Sequence, residues 1–456
     1  MKKHTLKGIQ IALLFVLLLC SVSVAEGKSV LTDDERKAKT AKLLEKLHKN
    51  FDDYKELVLN NGLQVSMMTK QMSINNNYLD INRLNEAPVV EADIIMVNND
   101  LLFNDFANAL KILERSLQYN PENIELLLSE AKVYFISKRY DDVVGSAYKI
   151  LKIAPTNVDA LMYASIANRY LKKYDESLKD ADKVVEIYRS TGSSNTARGY
   201  TAKTETYLAL GIANSSNEYT NKALENINKA IEIEPNIYRY NIRFAIYDAT
   251  HKYDDALKDL NEIAKLDPSS KTLFGKARYL AKVGKYEESI EAYSKVIAID
   301  PKESNAYLNR GMVYRNIGKM DEAIADYEKT ISINPKDEYV YLNLGYAYEL
   351  MGKYDKAIKY YKKQEKNNPK VHSVYLNEAG TYILMGNFKK AYAAFQTFTD
   401  FNKDQNKILK STFDKWNEIL VKNPDDPYVK KIQGMLIKYE VVDDSKVNKF
   451  DLGQKE

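Results

Sequence analysis

Residues 301–334 read PKESNAYLNRGMVYRNIGKMDEAIADYEKTISIN, and residues 335–368 read PKDEYVYLNLGYAYELMGKYDKAIKYYKKQEKNN. Laid one under the other, Tyr307 falls on Tyr341, Gly311 on Gly345, Tyr314 on Tyr348, Gly318 on Gly352, Ala323 on Ala357 and Tyr327 on Tyr361. One register further on, Tyr375, Ala379, Tyr382, Gly386, Ala391 and Phe395 continue the same columns. Tyr307, Gly311 and Tyr314 lie four and then three apart, which puts them on one face of a helix. Gly318 follows where a left-handed residue ends that helix. Ala323 and Tyr327, again four apart, mark the buried face of a second helix. Pro335 and Pro369 close each unit, because the residue before a proline resists the helical conformation.

The same punctuation runs through most of the chain. Pro121, Pro155, Pro235, Pro268, Pro301, Pro335 and Pro369 stand 33 or 34 residues apart, except for a step of 80 from Pro155 to Pro235. That step holds two repeats and an insertion near 190–200, where a change of pitch or a hinge is expected. A single core rarely grows past about 250–300 residues, so 456 residues with this period make an all-α solenoid of stacked antiparallel helix hairpins. Glycine inside a helix costs roughly 0.5–1 kcal/mol relative to alanine. Its recurrence at Gly311 and Gly345 therefore predicts a close helix crossing. His251 stands where the period calls for a turn glycine.

The flanks are less regular. Residues 1–25 read as a signal peptide, 26–121 as an N-terminal helical region with one degenerate repeat helix, and 122–402 as an array of about eight repeats. Two capping helices follow over 403–440, one holding Trp416 and one expected from about 427 to 440, and then a polar tail over 441–456. Residues 31–62 and 104–120 carry helical patterns. Residues 63–103 do not resolve from pattern alone, and 89–97 fit either a strand or a helix.

Lys2, Lys3 and Lys7 precede an apolar run over 9–24, and Ser23-Val24-Ala25 supplies the small residues of a cleavage site. The chain is expected to be exported to the periplasm, cell surface or exterior of a bacterium. Cys20 is the only cysteine, and Leu19 stands where a lipoprotein signal wants Gly, Ala or Ser, so no lipid anchor is expected. Cleavage after Ala25 would remove that cysteine and three lysines, and the 67 basic and 63 acidic residues would become all but balanced. A near-neutral, mixed surface lacks the electrostatic footprint of a nucleic-acid binder and of a protein held on an anionic membrane. The 35 tyrosines suit surfaces that are half packed and half wet.

These columns resemble those of tetratricopeptide repeat (TPR) proteins in period, paired helices, small-residue sites and terminal proline. The match is strongest over residues 304–402 and degenerate at 124–155 and 158–189. The resemblance implies a right-handed superhelix whose first helices line a concave groove that holds a peptide or helix of a protein partner. The groove residues it implies are Phe274, Arg278 and Lys282, then Leu308, Met312, Arg315 and Asn316, then Leu342, Tyr346 and Glu349, and finally Leu376 and Ile383. Tyr346, Phe274 and Arg315 are the expected anchors. Leu308, Leu342 and Leu376 also read as packing between repeats, and the Asn309, Asn343 and Asn377 column reads as structural. Phe274 and Leu308 stand where a carboxylate clamp wants basic residues, so none is expected.

No catalytic constellation emerges. His48, His251 and His372 are far apart, with no pair at metal-ligand spacing. Gly27-Lys28-Ser29 lacks the earlier glycine of a phosphate-binding loop. No metal or cofactor is expected. The function read from the chain is a non-catalytic interaction scaffold of the bacterial envelope. A surface protein that adheres or self-assembles is the alternative, and an enzyme with its site in 63–103 is a third reading.

Overall fold

The structure is a computed structural model that describes residues 32–59, 64–85, 87–189, 193–401, 407–436 and 440–442. The apolar run, Cys20, the cleavage site, residues 190–192 and the tail from 443 lie outside the described residues. The chain divides into two compact units, Met1–Ser216 and Asn217–Glu456.

The first unit is a run of helices: α1 (Asp33–Leu59), α2 (Gln64–Leu84), α3 (Val90–Leu102), α4 (Phe106–Tyr119), α5 (Ile124–Ile136), α6 (Tyr140–Ile153), α7 (Val158–Tyr170), α8 (Tyr174–Tyr188) and α9 (Ser194–Asn214). The described part of 63–103 is thus mostly helical, and Val90 to Val97 belongs to α3, with Val89 at its N-cap, rather than to a strand. Each proline announces a helix start. Two residues after Pro121 and Pro155, the side chains of Asn123 and Asn157 accept hydrogen bonds from the backbone N–H of Leu126 (3.0 Å) and Ala160 (2.9 Å). Such caps satisfy a donor that the first turn leaves open. The insertion is taken up partly as helix: α9 has 21 residues where α5 and α7 have 13. Gly199 lets α9 lie against α8, since a Cβ there would fall 2.8 Å from Val185 Cγ2 and 3.0 Å from the Ala181 carbonyl oxygen.

The second unit continues the pattern through α10 (Asn217–Ile233), α11 (Ile237–Ala249), α12 (Tyr253–Leu266), α13 (Ser270–Lys282), α14 (Tyr286–Ile299), α15 (Ser304–Asn316), α16 (Met320–Ile333), α17 (Val340–Leu350), α18 (Tyr354–Asn367), α19 (Ser373–Leu384) and α20 (Phe388–Phe401). Two capping helices follow, α21 (Lys410–Val421) and α22 (Pro427–Leu436). The last helix stops at Leu436 rather than near 440. Beyond it, β2 (Glu440–Val442) pairs in parallel with β1 (Lys407–Leu409), so the first two residues assigned to a polar tail are strand.

At Gly311 and Gly345 the glycine expectation holds. A Cβ on Gly345 would fall 2.5 Å from Tyr361 Cε1, and one on Gly311 would fall 2.8 Å from Tyr327 Cε1. Tyr293, Tyr327, Tyr361 and Phe395 are wholly buried, and two of them, Tyr327 and Tyr361, press onto the backbone of the first helix. The turns are left-handed throughout: Gly284, Gly318, Gly352 and Gly386 have φ between 68° and 82°, while Lys138, Lys172 and His251 take the same place with φ of 61°, 61° and 57°. Neighbouring hairpins are pinned by arginine. Arg310 forks onto Asp326 with two 2.8 Å hydrogen bonds and donates a third, also 2.8 Å, to Ser294 Oγ of the preceding hairpin. Two repeats earlier, Arg243 forks onto Asp259 and reaches Asn228 (2.8 Å). The two-pronged geometry makes these the stronger kind of ion pair.

Three substitutions test this packing by urea unfolding of the full chain. Gly345→Leu costs about 1–3 kcal/mol through overpacking against Tyr361. Gly275→Ala, where a Cβ would meet nothing within 4 Å, gains about 0.5–1 kcal/mol from helix propensity. Lys172→Gly gains up to about 1 kcal/mol by relieving the left-handed turn. An unchanged midpoint for Gly345→Leu would refute the crossing.

Candidate functional site

In the first unit the first helices of successive hairpins, α3, α5, α7 and α9, pack side by side. Their shared face opens a groove of about 350 Å3. Its floor is apolar, made by Ile94 of α3, Leu128 of α5, and Met162 and Ile166 of α7, all half-buried. Polar groups ring that floor. Arg198 of α9 donates to Asp159 at 2.7 Å, and Lys132 Nζ donates to Asn98 Oδ1 at 2.8 Å. Partial desolvation of that ammonium, and then the nearby charge of Lys55, hold its pKa below the ordinary lysine value. A half-exposed apolar floor with a charged rim is the arrangement that takes an extended segment or one face of a helix.

The sequence reading placed the groove in the second unit, and there the structure divides its residues. Leu308, Met312, Leu342 and Ile383 are core side chains with at most 7% exposure. They pack hairpin on hairpin and expose little area to a ligand. That is a correction to their assignment as groove residues. Leu376 is half-buried against the cluster around Trp416. Arg278 and Lys282 are exposed, and Lys282 is paired with Asp248 (3.1 Å). Phe274 packs edge-on against Tyr293, with ring centroids 5.5 Å apart.

Of the remaining four, Arg315, Asn316 and Tyr346 come together, and Glu349 follows three residues after Tyr346 on α17. Arg315 is buried, donates to Asn343 Oδ1 (2.7 Å) and Asn316 Oδ1 (3.3 Å), and lies 5.1 Å from the centre of the Tyr346 ring. Asn343, read as structural, thus carries an inter-repeat bond as well as its own 3.1 Å bond to the Tyr339 carbonyl. Glu349 accepts from Tyr361 Oη (3.0 Å) and Thr381 Oγ1 (2.6 Å). Burial drives its pKa above the usual carboxylate range.

A second buried acid escaped the sequence reading. Glu378 is 1% exposed, its Oε2 accepts from Lys362 Nζ (2.9 Å), and its Oε1 meets no donor. Lys362 also holds Glu365 at 2.7 Å. Burial, and then a hydrogen bond to Glu365 that needs a proton between the two, raise the Glu378 pKa. The sequence signal was a charge reversal: Glu378 occupies the column of Arg310, and Lys362 the column of Ser294. The unit-1 groove carried a signal too. Ile94, Leu128 and Met162 are spaced by 34, as are Asn98, Lys132 and Ile166. Leu128 stands in the column of Leu308, seven residues past its proline, yet the first is half-exposed and the second buried. Among the described residues no group of His, Cys, Asp and Glu is placed to hold a metal, and no helix is long and apolar enough to cross a membrane.

Known proteins share this pattern. Residues 278–318 and 311–352 match the TPR repeat family, and residues 338–369 and 204–237 match tetratricopeptide repeat families. Small glutamine-rich tetratricopeptide repeat-containing protein 2 of Mycosarcoma maydis is 36% identical over 118 residues, which are 24% of this chain and 32% of its own length. The Hsp70-Hsp90 organizing protein of Triticum aestivum is 27% identical over 190 residues, 39% of this chain and 29% of its own. This chain thus spans about a third of the length of the curated relatives it matches. The solved structure of YrrB, a TPR protein with an unusual peptide-binding site, is 18% identical with a TM-score of 0.32, and the likeness covers 42% of this chain and 94% of that one.

The acid pair gives a pH prediction. Raised pKa values on Glu378 and Glu349 mean that the fold prefers their protonated forms. That contribution is full below the unfolded carboxyl value of about 4.3 and is lost as pH rises through the folded values. Hydrogen exchange in α17–α19 should therefore quicken, relative to α13–α15, between pH 6 and pH 9. Glu378→Gln should flatten that dependence, and a slope unchanged by it would remove Glu378 as the cause.

Proposed function

We propose that this chain of tetratricopeptide repeats is a non-catalytic scaffold that holds a peptide or helix of a protein partner. The observation that carries the reading is the half-exposed floor of Ile94, Leu128, Met162 and Ile166, bounded by Lys132 and the Arg198–Asp159 pair. Apolar side chains of a partner would enter between successive first helices, and the rim would fix its register. Binding energy in such interfaces concentrates in a few well-packed anchors. Tyr346 and Phe274 of the second unit, both half-buried, would add a separate set of contacts, with Arg315 holding the Tyr346 ring from behind. The Hsp70-Hsp90 organizing protein among the relatives is consistent with a role in gathering other proteins.

The basic start and apolar run of residues 1–25 support export and a place at a bacterial envelope. On this reading the partners are envelope proteins.

The test is capture from bacterial envelope extracts with the full chain as bait, beside Leu128→Glu/Met162→Glu. Both positions are half-exposed, so the variant should keep its circular dichroism and melting curve while losing the captured proteins. Retention of the same proteins by the folded variant would overturn the groove as the site. A matching Tyr346→Ala/Phe274→Ala variant reports whether the second unit shares the partner.

A further inference from the structure

A second cavity of the first unit lies away from the inner groove, between α2 and α4 over α3. It measures about 630 Å3, within the roughly 300–1,000 Å3 that hold small molecules. Its floor is Met96 and Ile112, exposed by only 5% and 8%, and Leu79, 49% exposed, forms an apolar wall. On the other side stand Lys111 and Arg115, one turn apart on α4.

What sets this cavity apart is how Arg115 is held. Behind it lies Asp93, wholly buried, whose carboxylate accepts from Tyr78 Oη (2.6 Å), Ser116 Oγ (2.8 Å) and Arg115 Nη2 (3.1 Å). The same Nη2 reaches Tyr78 Oη and Asn82 Oδ1, each at 3.2 Å. Every bond thus falls on one terminal nitrogen, and Nε and Nη1 have no partner among the described residues. The arginine is oriented before any ligand arrives. A planar fork with fixed direction is the group best suited to an oxyanion. Lys111 makes no ion pair among the described residues, so the ammonium beside that fork has no acid of its own. Glu114 is the one acid of the lining, against the two cations Lys111 and Arg115.

We propose that this cavity is a binding site for a small organic anion, its oxyanion held by Arg115 and Lys111 and its apolar body lying over Met96, Ile112 and Leu79. A bare inorganic ion would leave the apolar floor wet, and a neutral lipid would leave the pinned fork without an acceptor. The site adds a small-molecule function to a chain whose inner groove is read as a protein site, and the two are separate surfaces of one unit.

The test is fluorescence titration of the full chain with 8-anilinonaphthalene-1-sulfonate, a sulfonate on an aromatic body. One saturable site is expected. Dodecanoate and dodecyl phosphate should both displace the probe, the better competitor naming the preferred oxyanion, while 1-decanol should not. Lys111→Gln, which breaks no contact, should weaken the probe by about fivefold, and Arg115→Lys, which keeps the charge and loses the fork, by about tenfold. Leu128→Glu in the inner groove should leave the titration unchanged. Equal displacement by decanol, or a titration abolished by Leu128→Glu and untouched by Lys111→Gln and Arg115→Lys, would overturn the proposal.

Discussion

Two central hairpins of the second unit depend on a contact in which a tyrosine ring lies on bare backbone. At Gly311 and Gly345 the absence of a Cβ lets Tyr327 and Tyr361 reach the first helix, and that sets how closely the two helices of a hairpin approach. Once the crossing is fixed, the alanines at 323 and 357 fall into the same wholly buried interface. The next hairpin can then stack with its tyrosines in register. Where the ring is Phe395, the facing residue is Ala379.

The hydroxyl has its own consequence. Tyr361 Oη is bonded to Glu349. One repeat earlier Tyr327 Oη has no hydrogen-bond partner, and Arg315 stands in the column of Glu349. One repeat later both polar members vanish together, as Ile383 and Phe395. Among the polar groups of the second unit, Glu349 is thus tied to a core tyrosine beneath it. A ligand surface and a packing device share the same side chains, which is why separating them by residue type fails there.

Much of the fold was legible because close packing repeats. Glycine, alanine and tyrosine columns 34 apart can mean little else than a stacked crossing, and the turn after each first helix follows from one left-handed residue. The parts that resisted had no neighbour to be compared with. The segment 63–103 gathers hydrogen bonds around Asp93, a buried acid where Leu127 stands one period on, and so its pattern has no period. The site was half legible: its columns were readable but the exposure of a column was not. Leu128 and Leu308 share a column and differ in burial, because exposure depends on how the neighbouring first helices sit, which no single position records. Glu378 was hidden for the opposite reason, since an acid among many lysines looks solvated until its surroundings are known.

The C-terminal cap bears on how the protein behaves in company. Trp416 of α21 lies on Gly380 with no room for a Cβ there, and α21 packs beside α19 as the first helix of a further repeat would. The parallel pairing of β1 with β2 joins the chain on both sides of α21 and α22. A repeat array left open at this end would present a face that matches the start of another array, and copies would add head to tail into a filament. The indole fills that face from within the same chain, so the apolar side of α19 is covered before any second copy is met.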